Sequence, residues 1–312
     1  MESRSTISSK LAIACLAAIL AVQVYWAATR PIGSGEAYLY DRFVRPTTSQ
    51  VLASELLDRD VLYSLLEKRS VGLFHVSPFS VRLPSLLFGI FYLWAVWRLA
   101  RRFAMAAVVI GAIPLIWKLF AQADGTGVAL ALCAIAICFA VERKYLNWIG
   151  ICLGLSIAAD LGFAVPVAVL ALAILAIHRR WDEWCNQVLI PCAVVALIFL
   201  VLPLSHAHAS AGNRRELTAS QAVQLQPALE ALRASAGSED VRIGAISAAE
   251  PVVNFYRAQH RATNWLRAES DYRSEHFDYY LISATDAGWA NERHLVEVYR
   301  DADFLLFKRA ID

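Results

Sequence analysis

Six apolar runs crowd the first 204 residues of the 312-residue chain: Leu11 to Ala28, Leu83 to Leu99, Met105 to Phe120, Thr126 to Val141, Leu146 to Ile177 and Val188 to Leu204. Charged or Gly/Pro-marked breaks bound each of them. About 20 apolar residues in a helix cross the roughly 30 Å hydrocarbon layer of a bilayer, so runs of this length predict membrane spans. Composition points the same way, at 58% hydrophobic and 18% charged, against about 45–50% and 25% in a soluble domain. Charge then divides the chain. Residues 1–204 carry 17 Lys and Arg against 12 Asp and Glu, whereas 205–312 carry 12 against 15. The expected organisation is a transmembrane domain over 1–204 and an extracytoplasmic domain over 205–312. An acidic tail and short basic loops exclude a nucleic-acid partner.

The sidedness of the spans follows from their flanking cations. Leu146 to Ile177 is 32 residues, about 48 Å as one helix, and Asp160-Leu161-Gly162 interrupts it, so it reads as a hairpin of two short spans. Arg143-Lys144 and Arg179-Arg180 flank that run, which puts both of its ends on the cytoplasmic side. Arg4, Lys10, Arg98, Arg101 and Arg102 join them, while the short outer turns offer only Lys118. The result is about seven spans in the inner membrane, with a cytoplasmic N-terminus, a long first outer loop over 29–82 and the C-terminal domain outside. The first run exceeds the roughly 7–15 apolar residues of a signal peptide and reads as a retained helix. The six cysteines, Cys15, Cys133, Cys138, Cys152, Cys185 and Cys192, all lie in or beside apolar segments, so no disulfide framework is expected.

The outer loop is too long for a plain connection and too apolar for a disordered one. Val51, Leu52, Leu56, Leu57, Val61, Leu62, Leu65 and Leu66 recur at helical spacing, with Glu55, Asp58, Arg59, Glu67 and Lys68 opposite them. This predicts amphipathic juxtamembrane helices. The tail reads as a helix over Leu217 to Ala236, a strand Val241 to Ile246, a helix Ala249 to His260, and strands Asp278 to Ser283, His294 to Tyr299 and Asp303 to Lys308. A small α/β domain is expected.

Three stretches carry a family resemblance. Gly35-Glu36-Ala37-Tyr38-Leu39-Tyr40 resembles an Asp-Glu-Ala-x-Tyr motif early in a first outer loop. Val61 to Leu66, with Gly72-Leu73-Phe74, resembles Pro-Leu-Tyr-Tyr-Leu-Leu and Leu-Phe-Gly stretches. Ser80-Val81-Arg82-Leu83-Pro84-Ser85-Leu86-Leu87-Phe88-Gly89 matches Ser-x-Arg-Leu-Pro-Ser-x-Leu-Phe-Gly at the start of a second span. These are patterns of polytopic GT-C-type glycosyltransferases, such as the dolichyl-phosphate-mannose protein mannosyltransferases and the lipid A aminoarabinose transferases. The resemblance covers roughly residues 10–180. It departs at Gly35, where the family has Asp, at Arg59-Asp60, in place of His-Pro, and at Gln122 to Gly127, in place of Gln-Glu-Ala-Arg-Pro-Tyr.

The resemblance implies transfer of a sugar from a polyprenyl phosphate to a glycan, lipid or protein hydroxyl on the outer face. Such a reaction needs a carboxylate to take the hydroxyl proton and a cation to stabilise the departing phosphate. Glu36 is the first candidate base, against a plain solvated loop acid, and Asp124 the second, against a helix N-cap. Asp160 is a weaker candidate at the other outer turn. Arg82 is the candidate phosphate ligand, against a guanidinium that only anchors a helix end, with Arg42 and Arg45 in reserve. No ligand set for a divalent metal is readable, since His75, His178, His206 and His208 lack ligand spacing. Two function classes stay open: the transferase, and a non-catalytic membrane subunit of an envelope or exopolysaccharide assembly system that docks through its C-terminal domain. A transporter has less support, because no inverted repeat is visible.

Overall fold

The computed structural model describes residues 2–45, 61–103, 114–143, 145–178, 181–204, 219–273 and 276–310. The chain forms two compact units. Met1–Arg30, Thr47–Phe74 and Pro78–Ser210 make the first; Pro31–Pro46, His75–Ser77 and Ala211–Asp312 make the second. The first unit holds helices α1 (Glu2–Thr29), α3 (Val61–Phe74), α4 (Pro78–Phe103), α5 (Pro114–Phe120), α6 (Gly125–Glu142), α7 (Leu146–Ala159), α8 (Ala164–His178), α9 (Trp181–Trp184) and α10 (Ile190–Leu204). The second holds α2 (Ser34–Leu39), α11 (Ala219–Ala236), α12 (Glu250–Gln259) and α13 (Ala287–Glu292).

Among the described residues, three stretches are long and apolar enough to cross a membrane: Pro78–Arg101, Gly125–Glu142 and Trp181–Phe199. Shorter apolar helices cover Ile13–Thr29, Leu146–Ala159 and Leu161–Ala176. The run from Leu146 to Ile177 divides at Asp160, whose carboxylate accepts the Gly162 N–H at 2.8 Å and starts a 3-10 turn, Leu161–Phe163, before α8. Most of Met105 to Phe120 lies outside the described residues, as do Lys144, Arg179-Arg180, His206 and His208 and the amphipathic positions from Val51 to Asp60.

Small residues set the helix packing. A Cβ on Gly150 would stand 2.2 Å from the Val188 carbonyl oxygen, and one on Gly154 would stand 2.7 Å from that of Cys192. These glycines lie one turn apart on α7, so its backbone rests directly on the π turn Cys185–Leu189 and on α10. Close backbone contact is how such helices gain dispersion energy. The Ser156 hydroxyl donates to the Ala129 carbonyl at 3.0 Å and ties α7 to α6. Arg98 and Glu142 pair at 2.7 Å and set the register of α4 against α6.

Helix α3 reverses the expected polarity. Its buried face carries Val61, Tyr63, Ser64, Glu67 and Ser70, while Leu73 and Phe74 are exposed. The polar stripe turns toward other helices, where hydrogen-bond partners exist. Here Tyr63 donates to the Val81 carbonyl at 3.0 Å, and Ser70 donates to that of Ser80.

The second unit contains a four-stranded sheet ordered β1-β2-β4-β3, with β1 Ile243–Ala245, β2 Tyr279–Ser283, β3 Val296–Arg300 and β4 Phe304–Lys308. Strands β1 and β2 are parallel, Ile243 facing Tyr279, and α12 lies in their connection; the other pairings are antiparallel. The central strands read YYLIS and FLLFK and are buried nearly throughout, the continuous apolar pattern of strands covered on both faces. One face packs Tyr280, Ile282, Leu305 and Phe307 with Tyr272 and Phe277. Strand β3 is the exposed edge. An irregularity between Glu297 and Tyr299 and the Glu297–Arg300 ion pair interrupt it, features that discourage edge-to-edge pairing. Each expected tail element is present.

Candidate functional site

Two carboxylates at helix starts define the site in the first unit. Asp124 is the N-cap of α6: its backbone is extended and its Oδ1 accepts the Thr126 N–H at 2.9 Å. The N-cap role foreseen for Asp124 is therefore filled. Asp160 caps the 3-10 turn after α7. Thr126 joins the two, because its hydroxyl donates to Asp160 Oδ2 at 3.0 Å while its amide donates to Asp124. Ser85, on α4, donates to the Asp124 carbonyl oxygen at 3.3 Å and adds a third segment to the turn.

Burial pushes the Asp124 carboxyl above its ordinary value, and the like charge of Asp160 adds to that rise. The amides of Gly127 and Thr126 pull it partly back. Neighbouring carboxyls held in unlike environments are how a fold separates proton acceptor from charged partner. The arrangement suits Asp124 to proton transfer at a hydroxyl. Among the described residues, no group of three or more His, Cys, Asp or Glu stands together as a metal-ligand set.

The other candidates are placed as follows. Glu36 occupies the third position of α2, in the second unit, and its Oε2 accepts the Gly33 N–H at 2.8 Å. Arg45 follows the π turn Tyr40–Val44 of that unit and pairs with Asp41 at 3.1 Å. The Arg42 side chain lies outside the described residues. Arg82, in the first unit, is 3% exposed, and its Nη1 donates to the Ala27 and Arg30 carbonyls at 3.0 and 2.7 Å. The guanidinium thus satisfies carbonyls left open at the end of α1. Replacing Arg82 with Ala strands those acceptors and is expected to destabilise the chain by about 3 kcal/mol, with Lys recovering part of the loss. Denaturant unfolding in mixed micelles checks this, and an Ala variant within about 0.5 kcal/mol of the parent would contradict it.

Sequence reasoning weighed Asp124 and Asp160 separately and missed Thr126. Each Asp precedes an apolar helix, the usual sign of an N-cap, but nothing in a local pattern joins residues 34 apart. It also missed the buried polar residues Tyr63, Ser64, Glu67 and Ser70 of α3 and Ser80 and Ser85 of α4. The helical spacing of Ser64, Glu67 and Ser70 was the available signal. No family model, no curated protein and no solved structure matches the chain.

Proposed function

We propose that the chain is a seven-pass inner-membrane glycosyltransferase of the GT-C type, moving a sugar from a polyprenyl phosphate to an acceptor hydroxyl on the outer face. The single observation that carries this reading is the pair of helix-start carboxylates joined by Thr126, with Asp124 held above its ordinary value by burial. In the proposed step Asp124 takes the acceptor proton, the freed oxygen pair attacks the anomeric carbon, and the sugar–phosphate C–O bond breaks with its electrons leaving on the lipid phosphate. Asp160, through Thr126, holds the turn in place. Arg82 positions the end of α1.

The paired cations support a reading with the N-terminus in the cytoplasm and the second unit outside. A second reading, a docking subunit without catalysis, draws on the use of Glu36 as a helix cap and on Gly35 where the family has Asp. Mass analysis of envelope glycans and lipids separates the two. The transferase reading expects a deletion strain to lack one sugar-sized modification, which the wild-type gene restores and the Asp124→Asn gene does not. If both genes restore it, the transferase reading fails; if only truncation of the C-terminal domain prevents restoration, the docking reading replaces it.

A further inference from the structure

The second unit concentrates positive charge that the proposed reaction does not use. Asp41, in the π turn Tyr40–Val44, has a side chain only 10% exposed and pairs with Arg45 and with Arg267. The side chain of Arg257, in the last turn of α12, makes no hydrogen bond or ion pair among the described residues, while its carbonyl accepts the Ala262 N–H at 3.0 Å. It stands near enough to both other arginines for their like charges, after burial, to lower its pKa. Two guanidiniums therefore pair with one carboxylate, and Arg257 stands within electrostatic reach of all three, so the group carries two more positive charges than negative ones.

The cluster is preorganised and open. Tyr40 and Phe255 are both buried and meet edge to face at 5.2 Å, fixing the π turn on α12 and bringing together arginines more than 200 residues apart in sequence. Arg45 and Arg267 keep side-chain exposures of 41% and 57%, so a ligand can reach them. Side chains that repel one another stay together at a cost that an anion between them would remove. The uncompensated charge sets the anion's valence. A phosphate monoester carries about −1.5 to −2 at pH 7 and offers three acceptor oxygens to the planar forks of arginine.

We infer that Arg45, Arg257 and Arg267 form a binding site for a dianionic phosphate group. The site lies within the second unit and holds whether or not a sugar is transferred. Its phosphate can belong to a soluble molecule or to a lipid headgroup, and two measurements on the full chain tell these apart. In detergent, inorganic phosphate is titrated by calorimetry. In nanodiscs, thermal unfolding is compared between phosphatidylcholine alone and phosphatidylcholine with phosphatidic acid.

Arg257→Gln is expected to weaken the response about tenfold or more, since a charge-assisted contact is lost. Arg257→Lys keeps the charge and falls between Gln and the parent. Arg261→Gln, at an exposed position on the same segment, leaves the response unchanged. Because the Arg257 side chain makes no hydrogen bond or ion pair among the described residues, the Gln variant should keep the parent unfolding midpoint in phosphate-free detergent. An Arg257-dependent response in detergent supports a site for soluble phosphate, and one confined to phosphatidic acid nanodiscs supports a headgroup site. Equal behaviour of parent and Arg257→Gln in both measurements, including no response in either, overturns the inference.

Discussion

Asp124→Asn is expected to lower sugar transfer by on the order of 10²–10⁴-fold with the protein still inserted and folded. Asn caps a helix about as well as Asp, and its side-chain oxygen can still accept the Thr126 amide, so the change isolates the proton acceptor from the turn. The pH profile gives a second readout. Burial and the charge of Asp160 hold Asp124 above the ordinary carboxylate value, so its basic form accumulates only as pH rises through that elevated value. The acid limb of the parent should sit correspondingly high, and Asp160→Asn, which removes the like charge, should move it to lower pH. Full turnover by Asp124→Asn would remove this residue from the reaction.

Gly150→Leu should largely abolish folded protein. A Cβ at Gly150 falls 2.2 Å from the Val188 carbonyl oxygen, so even Ala must push one backbone off another, and Leu adds more bulk to the same contact. Overpacking typically costs about 1–3 kcal/mol per site, and backbone against backbone has no rotamer through which to relax. Gly72 supplies the control, because nothing stands within 4 Å of a Cβ built there. Gly72→Ala should leave stability unchanged or raise it by up to about 1 kcal/mol. Yield and denaturant unfolding in mixed micelles check both, and a well-folded Gly150→Leu would show that α7 does not rest on its neighbour through this glycine.

What the sequence disclosed here is mostly what is local. Apolar runs and N-cap aspartates marked α4, α6 and α7 and the break at Asp160, because span length and capping are properties of neighbouring residues. The tail strands were legible for the same reason, YYLIS and FLLFK being short apolar runs rich in aromatic residues and bounded by turns. What was illegible depends on partners distant in sequence. The polarity of α3 could not be read from its own spacing, since the same stripe of Tyr63, Ser64 and Glu67 faces out in water and in among helices. Nor does anything around Glu36 and Asp41 announce that Pro31–Pro46 packs with Ala211–Asp312, a contact made by Tyr40 on Phe255. The Asp124–Thr126–Asp160 link is of this kind too: two ordinary caps become a candidate site only when a threonine hydroxyl spans them.

The most direct test of the central claim follows the lipid rather than the acceptor. Full-length protein is reconstituted in vesicles with polyprenyl-phosphate sugars and an extract of envelope acceptors, and the lipids are analysed by mass. The account predicts that the parent consumes one polyprenyl-phosphate sugar and releases the bare polyprenyl phosphate, while Asp124→Asn leaves that donor intact. A parent that leaves every donor untouched, or an Asp124→Asn variant that consumes it equally fast, would contradict it.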